Sequence, residues 1–290
     1  MVVLGAHTAR VARATALNVT RFDDPIPGGC DPGDCSLREA ILAANASAGH
    51  DTIALPGGTY VLAQAGSDDT ASLGDLDITD DVTITGAGAA TTIITTTMAD
   101  RIFHIPSTAN VSIADVTISG GHFAVTGDGA GLLNNGGTLT VTNSIFSSNH
   151  AIGLGGGLYN ITGTVVISST TFAGNTATSV GGGLAFDDGT LRIIDGAFLD
   201  NTADTSGAGV AIRGGTTTID GSTFAGGETI SGGGGGISIA SGVVTITNSM
   251  ISGNSASSGG GISTSGTLTI IGSTISDNTT ISSGGGGGYR

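Results

Sequence analysis

Asp187 and Asp188 stand side by side, Arg192 follows closely, and Arg213 lies 26 residues beyond Asp187. A carboxylate pair beside arginines could do acid–base work on a uronate, the chemistry of polysaccharide lyases and glycoside hydrolases. The same residues also read as a turn, Asp187-Asp188-Gly189, whose charge the arginines neutralise. A second acidic group, Asp75, Asp77, Asp80 and Asp81, has the short D-x-D form that gathers around calcium. The five histidines, His7, His50, His104, His122 and His150, show no ligand spacing and read as structural or solvent-facing. With no tryptophan, no lysine and 3 tyrosines, the chain lacks the aromatic platforms on which a sugar cleft stacks its rings.

The 26-residue interval between Asp187 and Arg213 belongs to the whole chain. From Gly137 the pattern G-x-[LVT]-x-[VI]-x4-[FI]-x2-N, closed by a glycine cluster and one aliphatic residue, restarts at Gly163, Gly189, Gly215, Gly242 and Gly266. A period of this length with several short β-branched runs marks a solenoid in which each repeat is one coil stacked on the next. Residues one period apart then sit above one another, which is what would bring Asp187 to Arg213.

Positions two and four after the lead glycine are apolar almost throughout: Leu139/Val141, Val165/Ile167, Leu191/Ile193, Thr217/Ile219, Val244/Ile246 and Leu268/Ile270. Alternation at period two buries one face of a strand. Phe146, Phe172, Phe198, Phe224, Ile251 and Ile275 follow as an inward stack on a second strand, and Leu158, Leu184, Val210, Ile237 and Ile262 form a third. Asn149, Asn175, Asn201, Asn254 and Asn278 make a column that can hydrogen-bond amide to amide while tolerating a left-handed turn, with Gly227 breaking the series. Length variation falls between the asparagine and the glycines, so Ala151 to Leu154, Thr176 to Val180, Thr202 to Ser206 and Glu228 to Ser231 read as variable loops and as any binding surface.

Three short strands per coil predict an all-β fold: a single-stranded, right-handed parallel β-helix of about nine coils, roughly 45 Å tall at ~4.8 Å per strand. A left-handed hexapeptide helix needs a period near ~18 residues, and calcium-binding nonapeptide repeats need a recurring aspartate; neither is present. Outward threonines, among them Thr138/Thr140, Thr216/Thr218 and Thr267/Thr269, could form a flat ice-binding array, but Val166, Arg192 and Val243 interrupt it.

Fifty-three glycines suit thin aliphatic columns better than a globule, and the formal charge of −15 argues against nucleic acid and anionic membranes as partners. No segment is long enough to span a bilayer. Residues 1–15 read as the remnant of an export signal: either the tail of a longer signal peptide or the edge of an excised fragment. Residues 16–49 should hold a strand and a capping helix, and 50–290 the β-helix, continuous with its cap. Ser36-Leu37-Arg38-Glu39 is a capping box, and the stripe Leu37, Ala40, Ile41 and Ala44 predicts an amphipathic helix laid over the open end of the solenoid. Cys30 and Cys35 bracket the turn Asp31-Pro32-Gly33-Asp34 and suit a small disulfide hairpin of an oxidising compartment better than a zinc site.

The run Cys35-Ser36-Leu37-Arg38-Glu39-Ala40-Ile41, then Ala43-Ala44-Asn45, Asp51-Thr52-Ile53 and Leu55-Pro56-Gly57-Gly58-Thr59-Tyr60, resembles the CSLREA domain that opens many large secreted or surface β-helical proteins of bacteria. The later F-x-x-N and G-G-[GA]-[LIV] elements are similar to the repeats of chlamydial polymorphic outer-membrane proteins and other autotransporter passengers. The resemblance implies a secreted or cell-surface place and an adhesin-like role, and it makes Asp75, Asp77, Asp80 and Asp81 ordinary strand-and-turn residues. The resulting expectation is a non-enzymatic structural or adhesin-like module without a required cofactor, calcium being the one candidate ion. Its partner would be a surface glycan or protein. Two alternatives stand beside it: a polysaccharide-processing enzyme using Asp187, Asp188, Arg192 and Arg213, and a fibre built by end-to-end stacking.

Overall fold

Every strand-forming run identified above finds its partner one period away and in parallel. In a computed structural model that describes residues 14–66, 69–106 and 108–281, the chain winds into a parallel β-helix. Its coils contribute to a 16-stranded, a 9-stranded and a 6-stranded sheet. Nine strands stacked in the second sheet correspond to eight steps between coils, in keeping with the number of repeats. The start of the chain, including His7, and its end from residue 282 lie outside the described residues.

Each regular coil carries four strand segments rather than three. In one such coil, Thr190–Ile194, Ala197–Leu199, Thr202–Ala203 and Val210–Ile212 follow in order. The first and last both belong to the largest sheet, which bends at a corner. Earlier coils run through that corner in single long strands, Leu132–Thr142 and Leu158–Ser168, the first with register irregularities there. Asn134 Nδ2 donates to Asn160 Oδ1 across the same corner at 2.7 Å, and Phe186 replaces asparagine in the next coil.

The core is a set of vertical files. Val141, Ile167, Ile193, Ile219, Ile246 and Ile270 pair in register. The rings of Phe146, Phe172, Phe198 and Phe224 stack face to face, with centroids 4.7, 4.8 and 4.8 Å apart. The strand repeat imposes that spacing, and it falls within the range for stacked aromatics. The stretches expected as variable loops are ordered instead. Thr176–Ala177, Thr202–Ala203 and Glu228–Thr229 belong to the 6-stranded sheet, with Ala151, Ala177 and Ala203 as an inward alanine file. Thr229 continues the file, also fully buried, so small side chains let this third wall close on the core.

The asparagine column forms, with one correction. The left-handed residue is the one before each asparagine: Ser148, Asp200 and Asp277 have φ of +55°, +52° and +56°, and Gly174, Gly226 and Gly253 fill the same place in other coils. The asparagine itself turns inward, where its Nδ2 reaches a carbonyl of the previous coil, as from Asn175 to Phe146 O at 2.9 Å and from Asn201 to Phe172 O at 2.8 Å.

At the amino-terminal end, helix Leu37–Ala46 starts at its capping box and buries Leu37, Ala40, Ile41 and Ala44 over the first coil. Cys30 and Cys35 are joined in a disulfide. The Cys35 carbonyl accepts from the amides of Thr20 and Arg21, which ties the hairpin to the strand Ala16–Asn18.

Candidate functional site

Two groups of polar side chains stand apart from the regular files. The first is on the outer face of the bent sheet, where strand Leu184–Phe186 turns through Asp187-Asp188-Gly189 into Thr190–Ile194. The turn requires glycine at its end: Gly189 has φ +105°, and a Cβ there would lie 2.0 Å from the Gly163 carbonyl oxygen. Asp188 Oδ1 accepts from the Gly189 amide at 2.8 Å, so this carboxylate closes the turn.

Asp187 takes the phenol of Tyr159, from the coil below, on Oδ2 at 2.8 Å. Its Oδ1 meets Arg213 Nη1, from the coil above, at 3.0 Å as an ion pair out of hydrogen-bond alignment. Tyr159 stands in a small outer apolar cluster with Leu133 and Ala185, flanked by Leu154, Ile161 and Val180. Burial, reinforced by the bond to Asp187, pushes the phenol well above the ordinary tyrosine value, so it remains a donor.

The structure therefore joins Asp187 to Arg213, as the period required, but it does not assemble the other two candidates. Arg192 pairs in register with Val166 and Thr218 on the exposed face beyond the corner, where its charge acts on Asp220. Sequence reasoning passed over Tyr159. The signal was its register with Ala185, two residues before Asp187.

The second group lies where the cap meets the solenoid. Arg38, fully buried, donates from Nε to Asp24 Oδ1 at 2.7 Å and from Nη2 to Asp24 Oδ2 at 3.0 Å. Its remaining donors reach the carbonyls of Ala71 at 2.9 Å and Gly74 at 2.7 Å. This fork binds the helix to the long connection between Leu62 and Leu76, and its hydrogen bonds offset the desolvation of the pair.

Beyond it, Asp75 faces Arg101 Nε at 3.3 Å. Burial pushes the Asp75 carboxyl up to about 8; Arg101 opposes the shift, and Asp77 and Asp100 add to it. Asp100 is raised as well, first by burial. Asp77 is fully buried, with Oδ1 at 2.9 Å from His104 Nδ1 and Oδ2 accepting from the Ala71 amide at 3.0 Å.

The four aspartates expected around calcium are split. Asp80 Oδ1 caps the amide of Asp81, and Asp81 accepts from Asn110 N at 2.7 Å, which with the Asn110 side chain holds its carboxyl below the usual value. These two serve a turn, because the strand Leu76–Asp77 ends before them and the chain rounds the corner into Val82–Gly86, which continues in the same direction. Ligand atoms of Asp69, Asp77 and His104 instead lie within 4.8 Å of one another. That grouping arises from the register Asp77 to His104, which linear spacing of histidines could not reveal.

No family model and no curated protein matches the chain. Among solved structures it is similar to the A-module of the Azotobacter vinelandii mannuronan C-5 epimerase AlgE6, at 15% identity and a TM-score of 0.38, over 89% of this chain and 98% of that one. At that level the likeness bears on neither the chemistry nor the site. No helix among the described residues is long and apolar enough to cross a membrane.

Proposed function

We propose that this protein is a non-enzymatic, extracellular or cell-surface β-helical module, a rigid column that spaces or presents adhesin-like contacts. The observation that carries this reading is the state of the Asp187–Asp188 pair. Asp188 is spent on its own turn, and both oxygens of Asp187 are engaged, by Tyr159 and by Arg213. These contacts give each carboxylate a structural task, one closing a turn and the other latching three successive coils together, while Arg192, the second arginine of an acid–base set, stands apart beyond the corner. The Cys30–Cys35 disulfide supports an oxidising compartment. The resemblance of Cys35 to Ile41 and of the later repeats to secreted and surface β-helical proteins points to the same place. Contacts with a glycan or protein partner would fall on the outward side chains of the third wall, such as His150, Thr176, Thr202 and Glu228.

The test is twofold. Uronate-containing and neutral polysaccharides, screened with calcium present, should show no turnover, and glycan-array or cell-binding signals should fall on substitution along the third wall. Turnover that disappears in Asp187→Ala would make the protein a polysaccharide-processing enzyme instead.

A further inference from the structure

We propose that Asp69, Asp77 and His104 form a binding site for one divalent transition-metal cation of the zinc class, which pins the connection between Leu62 and Leu76 to the body of the solenoid. The three residues come from different parts of the chain. Asp77 and His104 are in-register neighbours on adjacent strands, and Asp69 belongs to the connection that passes over them. One nitrogen and two oxygen ligand atoms fall within 4.8 Å.

Ligands at ~2.0–2.1 Å from tetrahedral zinc lie roughly 3.3 Å from one another. The 2.9 Å between His104 Nδ1 and Asp77 Oδ1 is already close to that separation. Asp69 is exposed, so its carboxylate can close the remaining distance by rotation. The cation would sit between His104 Nδ1 and Asp77 Oδ1, replacing their direct contact. A neutral His104 would offer its Nδ1 lone pair to the cation while its one ring proton sits on Nε2, so the metal–nitrogen bond forms without net loss of a proton.

The electrostatics of the pocket point the same way independently. Asp77 is fully buried, and its carboxylate meets the His104 imidazole and the Ala71 backbone amide. Of the two nearby guanidinium groups, Arg38 is committed to Asp24 and Arg101 faces Asp75. A buried carboxylate with no guanidinium partner, such as Asp77, is stabilised by a cation. The imidazole decides which kind, because calcium prefers six to eight oxygens, whereas a mixed nitrogen and oxygen set suits zinc or its neighbours.

The experiment uses the full chain, stripped with EDTA and titrated with Zn2+ and Ca2+ by calorimetry. Metal-free melting curves of every variant are recorded beside the titrations, so that lost binding is distinguished from lost fold. The expected result is one equivalent of Zn2+, a raised melting temperature, and affinity reduced at least tenfold in both Asp69→Ala and His104→Gln. Absence of stoichiometric Zn2+ binding, binding indifferent to either substitution, or Ca2+ bound as tightly as Zn2+ would overturn the proposal.

Discussion

Asn149 donates both its backbone amide and its side-chain Nδ2 to a single acceptor, Asn175 Oδ1, at 3.1 and 3.0 Å. Asn175 repeats the arrangement on Asn201. Each oxygen thus serves the coil before it, while each amide nitrogen also reaches back to a carbonyl. In a dry interior these bonds polarise one another, and losing one member leaves several groups unpaired.

Asn175→Ala should therefore cost about 2–4 kcal/mol, more than an isolated buried hydrogen bond. It would strand both donors of Asn149 and the Phe146 carbonyl together. Urea unfolding should show a lower midpoint with an unchanged slope. A shift below ~0.5 kcal/mol would mean that water enters the column and replaces the amide.

Gly227 occupies the asparagine position, and its amide still donates to Asn254 Oδ1 at 2.8 Å. Restoring the consensus with Gly227→Asn should nevertheless destabilise the chain by roughly 1–3 kcal/mol. A Cβ there would lie 2.2 Å from the Gly235 carbonyl oxygen, which is backbone and cannot swing aside. Thermal melting of this one variant settles the matter, since a raised melting temperature would show that the glycine turn yields.

The cap should fail first in acid. Burial pushes the Glu39 carboxyl up, but the amides of Ser36, Gly28 and Gly29, together with the Ser36 hydroxyl, outweigh it and hold it below the ordinary value. A depressed carboxyl contributes stability above the unfolded value of about 4.3 and loses it as pH falls through the folded value. Hydrogen exchange of helix Leu37–Ala46 should accordingly speed up on acidification below about pH 4.5, and Glu39→Gln should flatten that dependence while weakening the cap by about 1 kcal/mol at neutral pH. An acid limb of equal steepness in the variant would assign the effect to another group.

Reduction of Cys30–Cys35 should be felt locally. The bridge closes a loop with a sequence separation of 5, for which chain entropy gives about 2 kcal/mol. Exchange protection should drop for Thr20 and Arg21, whose amides donate to Cys35 O, and remain unchanged in the phenylalanine file. Loss of protection throughout would make the cap the nucleus on which the solenoid depends.

The solenoid was legible because its core positions recur: a period of 26 residues places Phe146 over Phe172 without any knowledge of the coordinates. The capping box and the disulfide hairpin were legible for a different reason, since each is local in sequence. What could not be read were contacts made at irregular offsets. Asp77 and His104 meet through register in the early, less regular coils, and Arg38 reaches Asp24 through a connection with no repeat. Tyr159 was hidden because outward positions carry no hydrophobic pattern to mark them. The third wall was mistaken for loops because two-residue strands such as Thr202–Ala203 are too short to show alternation.

Because Thr164 to Ile167 meets Thr190 to Ile193 residue for residue, and that segment meets the next in the same way, each layer offers above what it accepts from below. A duplicated or deleted layer would therefore find complementary neighbours on both sides. The cross-section of this molecule is dictated by its side chains, whereas its length is free to be set by gene duplication, with only the ends requiring residues of their own.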